Sequence, residues 1–343
     1  MSEARFEPSE ATLTGFNADI YFERTRQVLR AEGIDAVVVV EVFARASAVL
    51  CGMREVQILL RRALPAGVQV WSLEEGARIG QGEVVLRIRA PYVSFCLYET
   101  AILGTLASET GWATAAEKCI HAAGDTPVIH FGARHVHPDV SGRLEYAACV
   151  GGCTTCATTW GAQLAGLDPS GTLPHGLILA IGDTLRAAEA FDRNIDEAVN
   201  RVVLVDTFTD EAEESVRVAE AMGERLWGVR LDTAAELGGV TADLVKEVRS
   251  RLDDAGHGAV RIVVSGGIDA DRIVYFRQAG APIDAFGVGS AISGAAPVDF
   301  TADIKEVDGQ PRAKRGRRPG VTDNDRLRAV DMTSSVANGA DLQ

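Results

Sequence analysis

Between residues 127 and 290 the chain alternates short apolar runs with helix-like polar stretches, and this alternation limits the fold more than any other feature. Helical segments such as 210–225 and 241–256 separate the apolar runs. Each run ends in Gly or polar residues; the runs are PVIHFGARH (127–135), the region around GTLPHGLILA (171–180), RVVLVDTFT (201–209), LWGVRLDT (226–233), RIVVSGGI (261–268) and DAFGVGS (284–290). Strands that alternate with helices form right-handed βαβ units and a parallel sheet. The sequence therefore predicts an α/β fold here.

The number of these repeats favours a barrel. Six or seven of them in about 175 residues are somewhat fewer than the eight of a complete β/α barrel. A doubly wound open sheet is the alternative, but no G-x-G-x-x-G follows a first strand, and this absence makes the open sheet less favoured. We therefore predict an irregular, incomplete parallel β/α barrel.

Residues 1–112 lack this rhythm and predict an N-terminal α+β domain. DAVVVVEVF (35–43) is typical of a strand, 51–62 of an amphipathic helix, 68–92 of short strands broken by Gly-containing turns, and 98–124 of a long helix. The barrel domain is assigned to 113–298. Residues 299–343 are expected to return toward the N-terminal domain as a short strand and a basic loop (304–320), and to end in a mobile tail (321–343).

The composition excludes several classes of protein. A net charge of -14, from 34 basic and 48 acidic residues, argues against a nucleic-acid-binding surface. The start has no apolar leader, and runs such as AVVVV (36–40) are too short to span a bilayer. The six cysteines are interpreted as reduced thiols, with Cys153 and Cys156 as packing residues rather than a metal site. We expect a cytoplasmic protein without nucleic-acid or membrane partners.

Side chains capable of chemistry collect where the predicted strands end. The carboxyl ends of the strands hold the active site in a parallel α/β barrel. The residues at these ends are Arg134, His135 and His137; Thr172 and His175; Asp206 and Thr207; Arg230 and Asp232; Ser265, Gly266 and Gly267; and Gly287, Gly289 and Ser290. We predict that they share one rim.

The two late glycine turns predict a phosphate site. VVSGGID (263–269) and FGVGS (286–290) each place Gly where a strand leads into a helix, so that backbone N–H groups can surround an anion. The loops after the last two strands of a barrel often hold phosphate. The alternative is a pair of tight turns without a ligand.

The rim acids and histidines each have two interpretations. Asp206 and Asp232 can hold Mg²⁺ or hydrogen-bond a ribose diol, or they can cap helices. His175 is either catalytic or structural. For His135 and His137 we expect solvated loop histidines rather than a metal pair.

Six ordered motifs resemble those of the nicotinate phosphoribosyltransferase family. This family belongs to the type II phosphoribosyltransferases, together with the nicotinamide and quinolinate enzymes. The motifs are IHFGARHVHP (129–138), GTLPHG (171–176), VDTFTD (205–210), VRLDT (229–233), VSGGID (264–269) and FGVGS (286–290), and GEVVLRIRAPY (82–92) and ETAILGTL (99–106) also match. The resemblance runs from about Leu13 to Gly320 and implies the barrel and N-terminal domain described above.

The resemblance implies a reaction in NAD biosynthesis. Nicotinate and phosphoribosyl pyrophosphate would give nicotinate mononucleotide and pyrophosphate, with ATP as a co-substrate and Mg²⁺ as the cofactor. It also implies a homodimer or a higher homo-oligomer.

The resemblance assigns roles to residues of this chain. The implied catalytic residues are His175, which matches a histidine phosphorylated by ATP, and Asp206 and Asp232, which would also hold Mg²⁺. Phe131 would stack on the pyridine ring, and Tyr21 would reach that ring from a partner subunit. The other implied substrate-binding residues are Arg134 at the substrate carboxylate or phosphates, Arg230 at ribose and pyrophosphate, Thr172 and Ser265, and, for the 5′-phosphate, Gly266, Gly267, Gly289 and Ser290.

Two positions depart from the family pattern, and three other functions stay open. The stretch 153–159, CTTCATT, has no acid where the family often has one, and Gly176 replaces the serine that usually follows the histidine. The second interpretation is a quinolinate (decarboxylating) enzyme, which is less favoured because no Lys- and Arg-rich cluster for a dicarboxylate is evident. The third is a nicotinamide enzyme. From another class, the chain could be a catalytically silent phosphoribosyl-pyrophosphate-binding protein, against which the intact His175 and both acids argue.

Overall fold

The computed structural model of the chain describes residues 6–333, which form two compact units. The first unit contains the described residues up to Thr114 together with those from Ala296 onward, and the second contains Ala115–Ala295. The sequence places its domain boundaries at nearby positions, 112 and 298. No helix in the described part of the chain is long and apolar enough to cross a membrane.

The chain up to residue 123 alternates helices and strands without a βαβ rhythm. Its elements are α1 (Glu10–Thr14), α2 (Ile20–Ala31), β1 (Val37–Ala44), β2 (Ala48–Val49), α3 (Met53–Ala63), β3 (Gln69–Ser72), β4 (Arg78–Ile79), β5 (Val84–Pro91), α4 (Tyr92–Phe95) and α5 (Glu99–Ala123). The strand at 35–43, the helix at 51–62 and the long helix at 98–124 are therefore present as predicted.

The elements that follow carry the second unit and then return to the first. They are β6 (Val128–His130), α6 (Pro138–Val150), β7 (Thr155–Cys156), α7 (Thr159–Ala165), α8 (His175–Ile181), α9 (Thr184–Asn194), β8 (Arg201–Leu204), α10 (Glu211–Met222), β9 (Leu226–Leu231), α11 (Ala242–Asp254), β10 (Arg261–Val264), α12 (Ala270–Gln278), β11 (Ala285–Val288) and α13 (Ser290–Ser293). The last strands are β12 (Phe300–Val307), β13 (Gln310–Pro311) and β14 (Arg328–Ala329).

The first unit is built on a six-stranded sheet in the order β13-β12-β1-β5-β3-β14, and each neighbouring pair is antiparallel. Val38, Val40 and Val42 alternate along β1 and belong to one buried apolar cluster with residues of α3 and α5. Glu41, which alternation places on the opposite face of the strand, pairs with Arg87 on β5 instead. β1 is thus buried on both faces, with the apolar cluster on one and this ion pair on the other.

The second unit contains a parallel sheet in the order β7-β6-β11-β10-β9-β8. The last strand, β11, pairs with the first, β6, and this is the pairing that closes a barrel. The two edge strands, β7 and β8, do not pair, so the barrel is open between them. The predicted fold class, an incomplete parallel β/α barrel with an N-terminal α+β domain, is confirmed.

The stretch 171–180 differs from the strand that the sequence predicts. Leu173 forms an isolated parallel bridge with Val203, and the chain then enters α8 at His175. Pro174 stands at the N-cap with extended φ/ψ, and because proline has no N–H it cannot extend a strand ladder. The apolar run 177–180 therefore forms part of a short helix, on which Leu179 is exposed.

Within the described residues, the stretch 304–333 is more ordered than the sequence predicts. The Lys305 ammonium donates to the Arg318 carbonyl, 2.7 Å away, within the basic loop. Beyond it, Thr322 N donates to Glu41 (3.0 Å) and Asn324 Nδ2 donates to the Val84 carbonyl (2.8 Å), and β14 pairs with β3. The predicted mobile tail at 321–343 thus includes a segment anchored by hydrogen bonds, and its last ten positions, 334–343, lie outside the described residues.

Candidate active site

A cavity of about 640 Å³ lies in the second unit, at the carboxyl ends of the parallel strands. Of the fifteen residues that the sequence places at strand ends, twelve line it, and His137, Asp206 and Thr207 do not. The lining residues are Phe131, Ala133, Arg134, His135, Ala157, Ser170, Gly171, Thr172, Pro174, His175, Gly176, Leu204, Arg230, Asp232, Ser265, Gly266, Gly267, Gly287, Gly289 and Ser290. The loops that follow the strands therefore meet at one site, as barrel geometry requires.

Arg230, on β9, connects the parts of this site. Its guanidinium donates from Nε to Ser265 Oγ (2.8 Å), from one terminal nitrogen to Thr172 Oγ1 (2.9 Å) and from the other to Asp232 Oδ2 (3.0 Å). Its Cζ also lies 5.0 Å from the centre of the Phe131 ring, a cation–π distance. The planar Arg230 guanidinium thus fixes three loops relative to one another and to the Phe131 ring.

Asp206, just beyond β8, forms a pair with His175. Its Oδ2 lies 3.1 Å from His175 Nε2, and its side chain is only 5% exposed. Burial raises the pKa of the Asp206 carboxyl, as does Asp232, while His175 opposes the shift. Oδ1 of Asp206 is buried without a hydrogen-bond partner, and so is Oγ1 of the adjacent Thr207. Because buried polar atoms without partners are rare, this point of the site fits a hydroxyl donor or a cation supplied by a ligand.

The two acids differ in their freedom to bind Mg²⁺. Asp232 Oδ2 accepts from Arg230, and Oδ1 accepts from the Ser265 hydroxyl at 2.9 Å. Asp206 keeps one oxygen without a partner among the described residues. Oxygen ligands suit Mg²⁺, so Asp206 fits the ion, whereas Asp232 is neutralised mainly by Arg230.

Helix capping does not account for these acids. The N-cap of α10 is Asp210, whose side chain accepts from Ala212 N and Glu213 N. The N-cap of α11 is Thr241. Asp232 instead lines the cavity, and Asp206 lies buried behind the lining residue His175, which it contacts.

The glycine turns present backbone donors at the other end of the site. Gly266 and Gly267 both have positive φ, 86° and 62°, a region that favours glycine. In the part of the chain that the structure describes, the N–H groups of Gly266, Gly267, Gly289 and Ser290 donate to no protein acceptor. Adjacent free N–H groups form an anion-binding concavity.

Gly287 makes room for the aromatic ring of Phe131. A Cβ at Gly287 would lie 2.5 Å from Cδ2 and Cε2 of Phe131, which is too close for any side chain. The ring therefore lies directly against the backbone of β11. The motif FGVGS thus makes space for the Phe131 ring in addition to forming the turn. The sequence alone did not indicate this second role.

His130, the residue before Phe131, belongs to a buried pair that sequence reasoning missed. Nδ1 of His130 lies 3.8 Å from Glu145 Oε1, and both side chains are fully buried. Glu145 also accepts from Ala157 N at 2.9 Å and from the N–H and hydroxyl of Thr158. Burial opposes ionisation of Glu145, but the nearby His130 and these hydrogen bonds lower its pKa overall. The pair joins the strand before Phe131 to the loop that carries Ala157, a cavity residue.

The two histidines expected to be solvated differ from each other. His137 meets the expectation, because its side chain is 71% exposed and caps α6 by accepting from Asp139 N. His135 instead lines the cavity, with Nδ1 3.1 Å from Ser293 Oγ. His135 is exposed as well, as expected, and the short turn after β6 places its ring against the loop after β11.

Three further predictions concern residues at or away from the cavity. Arg134 lines it and is exposed. Tyr21 lies on α2 of the first unit, where it is 56% exposed and is not part of the lining. Cys153 and Cys156 are buried free thiols, and burial raises the pKa of Cys153, which suits packing residues.

Comparisons with known proteins match both parts of the chain. Residues 19–110 match the family described as quinolinate phosphoribosyl transferase, N-terminal domain, and residues 112–303 match quinolinate phosphoribosyl transferase, C-terminal domain. The solved structure of nicotinate-nucleotide pyrophosphorylase from Pyrococcus furiosus is 39% identical with a TM-score of 0.85, covering 94% of this chain and 85% of that one. Human nicotinic acid phosphoribosyltransferase, at 22% identity and a TM-score of 0.69, shares the fold over 89% of this chain and 77% of its own.

Curated relatives carry the name nicotinate phosphoribosyltransferase. The pncB2 protein of Mycobacterium tuberculosis is 30% identical over 253 residues, and the protein of Bacillus subtilis is 30% identical over 225 residues. These alignments cover 71% and 65% of this chain but 53% and 45% of the relatives, so the chain spans about half of their length. The two matched domains, the strand-end cavity and the confirmed fold lead to one conclusion: the chain belongs to the quinolinate phosphoribosyl transferase family, the type II phosphoribosyltransferases.

Proposed function

We propose that the protein is a nicotinate phosphoribosyltransferase, which converts nicotinate and phosphoribosyl pyrophosphate to nicotinate mononucleotide and pyrophosphate. The observation that carries this proposal is the layout of the cavity. An aromatic ring braced by Arg230 lies at the same rim as two turns with free N–H groups and a buried acid with an unused oxygen. The names of the curated relatives support the same substrate.

Phosphoribosyl pyrophosphate would bind across the glycine turns and Asp206. The free N–H groups of the two turns suit the 5′-phosphate. The unpaired Oδ1 of Asp206 suits the ribose hydroxyls or the cation that accompanies pyrophosphate. Mg²⁺, when bound, would neutralise the leaving pyrophosphate.

Nicotinate would stack on Phe131 and place its carboxylate near Arg134. Arg230 covers one side of the Phe131 ring, so the pyridine would use the cavity side. Arg230 already donates to three protein acceptors. Arg134, exposed on the same lining, is the arginine available to the substrate carboxylate.

The reaction replaces the bond from C1 of ribose to pyrophosphate with a bond from C1 to the pyridine nitrogen. Positive charge develops on the ribose as pyrophosphate leaves, so fixed dipoles and charges at both ends of the ribose lower the barrier. Stacking holds the nitrogen near C1 and excludes water from that face.

ATP would act through His175. The hydrogen bond between Nε2 and Asp206 orients the imidazole. When Nε2 carries the ring proton and donates it in this hydrogen bond, Nδ1 has the free lone pair and is the nucleophile. Attack on the γ-phosphorus would form an N–P bond and release ADP, and the new charge would alter the loop around Pro174. Hydrolysis of the N–P bond after turnover would restore the imidazole.

The second candidate is a quinolinate enzyme, which the family description and the name of the Pyrococcus furiosus protein favour. A dicarboxylate substrate needs two cationic partners. Arginine side chains of the cavity are Arg134 and Arg230, and no lysine is part of the described lining. Because Arg230 is bound to Asp232, a monocarboxylate fits better.

The test is pyrophosphate release from phosphoribosyl pyrophosphate and Mg²⁺ with nicotinate, nicotinamide or quinolinate, each with and without ATP. We expect release with nicotinate alone, raised by ATP, and loss of the ATP effect in His175→Ala. His137→Ala, a change of an exposed histidine outside the cavity, is the control. Release with quinolinate would establish the second candidate, and tight binding without release would identify a silent binding protein.

A further inference from the structure

His135 lies against the turn that begins α13. It ends a short 3₁₀ turn, Ala133–His135, that directly follows Phe131 and Gly132. A Cβ placed on Gly289 would lie 3.0 Å from Cε1 of His135 and 3.5 Å from its Nδ1. The imidazole is therefore in contact distance of the turn whose N–H groups are free.

The hydroxyl of Ser293 determines which ring nitrogen is available. Ser293 is buried and its Oγ lies 3.3 Å from the Gly289 carbonyl, to which it can donate. The same oxygen lies 3.1 Å from His135 Nδ1. A hydroxyl that donates to a carbonyl accepts from the imidazole, so Nδ1 carries a proton and Nε2 is left for a ligand.

Nε2 of His135 has chemistry that suits a phosphate. In the described part of the chain, no protein group bonds to it. A phosphate monoester offers both oxyanions and an acidic hydroxyl. Neutral Nε2 accepts from the hydroxyl, and protonated Nε2 donates to an oxyanion with added charge attraction.

We propose that His135 is a side-chain ligand of the ribose 5′-phosphate, completing the cradle formed by Gly266, Gly267, Gly289 and Ser290. This rests on the proposed function, because that function places the phosphate at these turns. It adds to the main-chain donors a side chain whose ring is fixed by Ser293. His135 therefore contributes to affinity for the phosphoribosyl substrate rather than for the pyridine.

A purely structural role for His135 predicts a different mutational pattern. If the ring only supports the Gly289 turn, the contact of Nδ1 with Ser293 is what matters. The amide nitrogen of Asn approximates the position of Nδ1, and that of Gln approximates Nε2. His135→Asn thus retains the supporting contact, whereas His135→Gln retains the group that would reach the phosphate.

The experiment measures binding of ribose 5-phosphate by calorimetry, with ribose as the ligand that lacks phosphate. We expect His135→Asn to raise the dissociation constant about tenfold, the loss of one charge-assisted hydrogen bond, and His135→Gln to stay within about threefold. His137→Ala is the matched control and should bind as the wild type does. Where turnover is measurable, KM for phosphoribosyl pyrophosphate should rise in His135→Asn while KM for nicotinate stays constant.

Wild-type affinity in His135→Asn would overturn the proposal, as would a loss in His135→Gln that equals or exceeds the loss in His135→Asn. The binding assay needs no pyridine and no turnover. Failure of every pyridine to release pyrophosphate would therefore contradict the proposed function without deciding the role of His135. Conversely, ribose 5-phosphate binding that ignores both substitutions would remove His135 from the site and leave the proposed reaction intact.

Discussion

Arg230 shows how much of the site depends on one side chain. Its donors reach Ser265, Thr172 and Asp232, which lie on three separate loops. A lysine at this position keeps the positive charge but has a single nitrogen, so it cannot hold three acceptors in fixed directions. The geometry of the rim therefore depends on the guanidinium as well as on its charge.

We expect Arg230→Lys to lower kcat/KM for pyrophosphate release by about a hundredfold, because misplacement of a site by about 1 Å costs that much. Steady-state kinetics with nicotinate measure the change. Arg261→Lys is the control, because Arg261 also stacks on an aromatic ring, at 4.5 Å from that of Trp227, but outside the cavity lining. Equal losses in the two variants would contradict a special role of Arg230.

A second residue, Glu99, predicts the pH dependence of stability. It begins α5, and burial, with smaller contributions from Asp303 and Asp19, raises the pKa of its carboxyl to about 7. Because the pKa is raised in the folded state, the unfolded chain ionises Glu99 at lower pH than the folded chain does. The free energy of unfolding is therefore highest below the ordinary carboxyl pKa and falls as pH rises to about 7. The ionised Glu99 carboxylate therefore destabilises the first unit at alkaline pH.

We expect Glu99→Gln to raise the apparent melting temperature at pH 8 by about 2–4 °C, corresponding to about 1 kcal/mol once partial exposure is allowed for. Near pH 4.5 the difference should vanish, because the wild-type carboxyl is then protonated in the fold. Differential scanning calorimetry across this range measures both limits. The same gain at both pH values would show that ionisation of Glu99 is not its cause.

At the scale of elements, the strands and helices with a full period were predictable. β1 is a run of eight residues, seven of them apolar, and α5 runs for 25 residues, so each is long enough to identify its element. Strands of two residues, such as β2, β4, β7 and β14, contain no complete alternation. α8 was mistaken for a strand because a short apolar run does not distinguish the two structures.

The residues of the candidate site likewise include some that the sequence predicts and some that it does not. Residues that follow strands, such as Arg230 and Asp232, were found because barrel topology brings strand ends together. Glu145 lies inside α6 and is fully buried, and nothing local distinguishes it from a solvent-facing acid. The contact of His135 with Ser293 was not predicted, because the two residues lie 158 positions apart in sequence. Contacts between distant elements determined these positions, and single-sequence patterns do not record such contacts.

The anchored C-terminal segment supports a prediction at this scale. We expect Asn324→Ala to lower the free energy of unfolding by about 1–2 kcal/mol, since it removes the hydrogen bonds to the Val84 carbonyl and from Arg326 N. Asp323→Ala, a change of the exposed neighbour, should have no measurable effect. Urea unfolding monitored by tryptophan fluorescence compares the two variants, and equal stability in both would show that these hydrogen bonds are replaced by water without loss.

For the whole molecule, the surface of the first unit indicates self-association. Large apolar side chains are exposed near α1 and along α2: Phe16 at 88%, Ile20 at 54%, Tyr21 at 56% and Val28 at 59%. Exposed apolar patches of this kind mark interaction surfaces. Because the family resemblance implies a homo-oligomer, a second copy of the chain is the expected partner.

We expect a solution mass of at least twice the 36.4 kDa of one chain, measured by light scattering. If Tyr21 completes the site of a neighbour, mixing inactive Tyr21→Ala and Arg230→Met chains should restore about a quarter of wild-type activity, because half of randomly formed dimers are mixed and each has one intact site. A fully active species of one-chain mass, or mixtures no more active than their components, would contradict shared sites.

The opening between β7 and β8 gives the barrel an unusual mechanical property. A closed barrel is a continuous ring, in which widening one strand pair strains all the others. This sheet has five paired interfaces and one cut, which residues 170–173 span, with Ser170 N donating to the Cys156 carbonyl of β7 at 2.8 Å. His175 lies beside that cut, and the segment before it is joined to β8 by the hydrogen bond from Leu173 N to Val202 O, at 3.0 Å. Because single hydrogen bonds, each worth about 1 kcal/mol, replace a strand ladder at this span, we expect the barrel to deform here, directly before His175, before any of the five pairings separates.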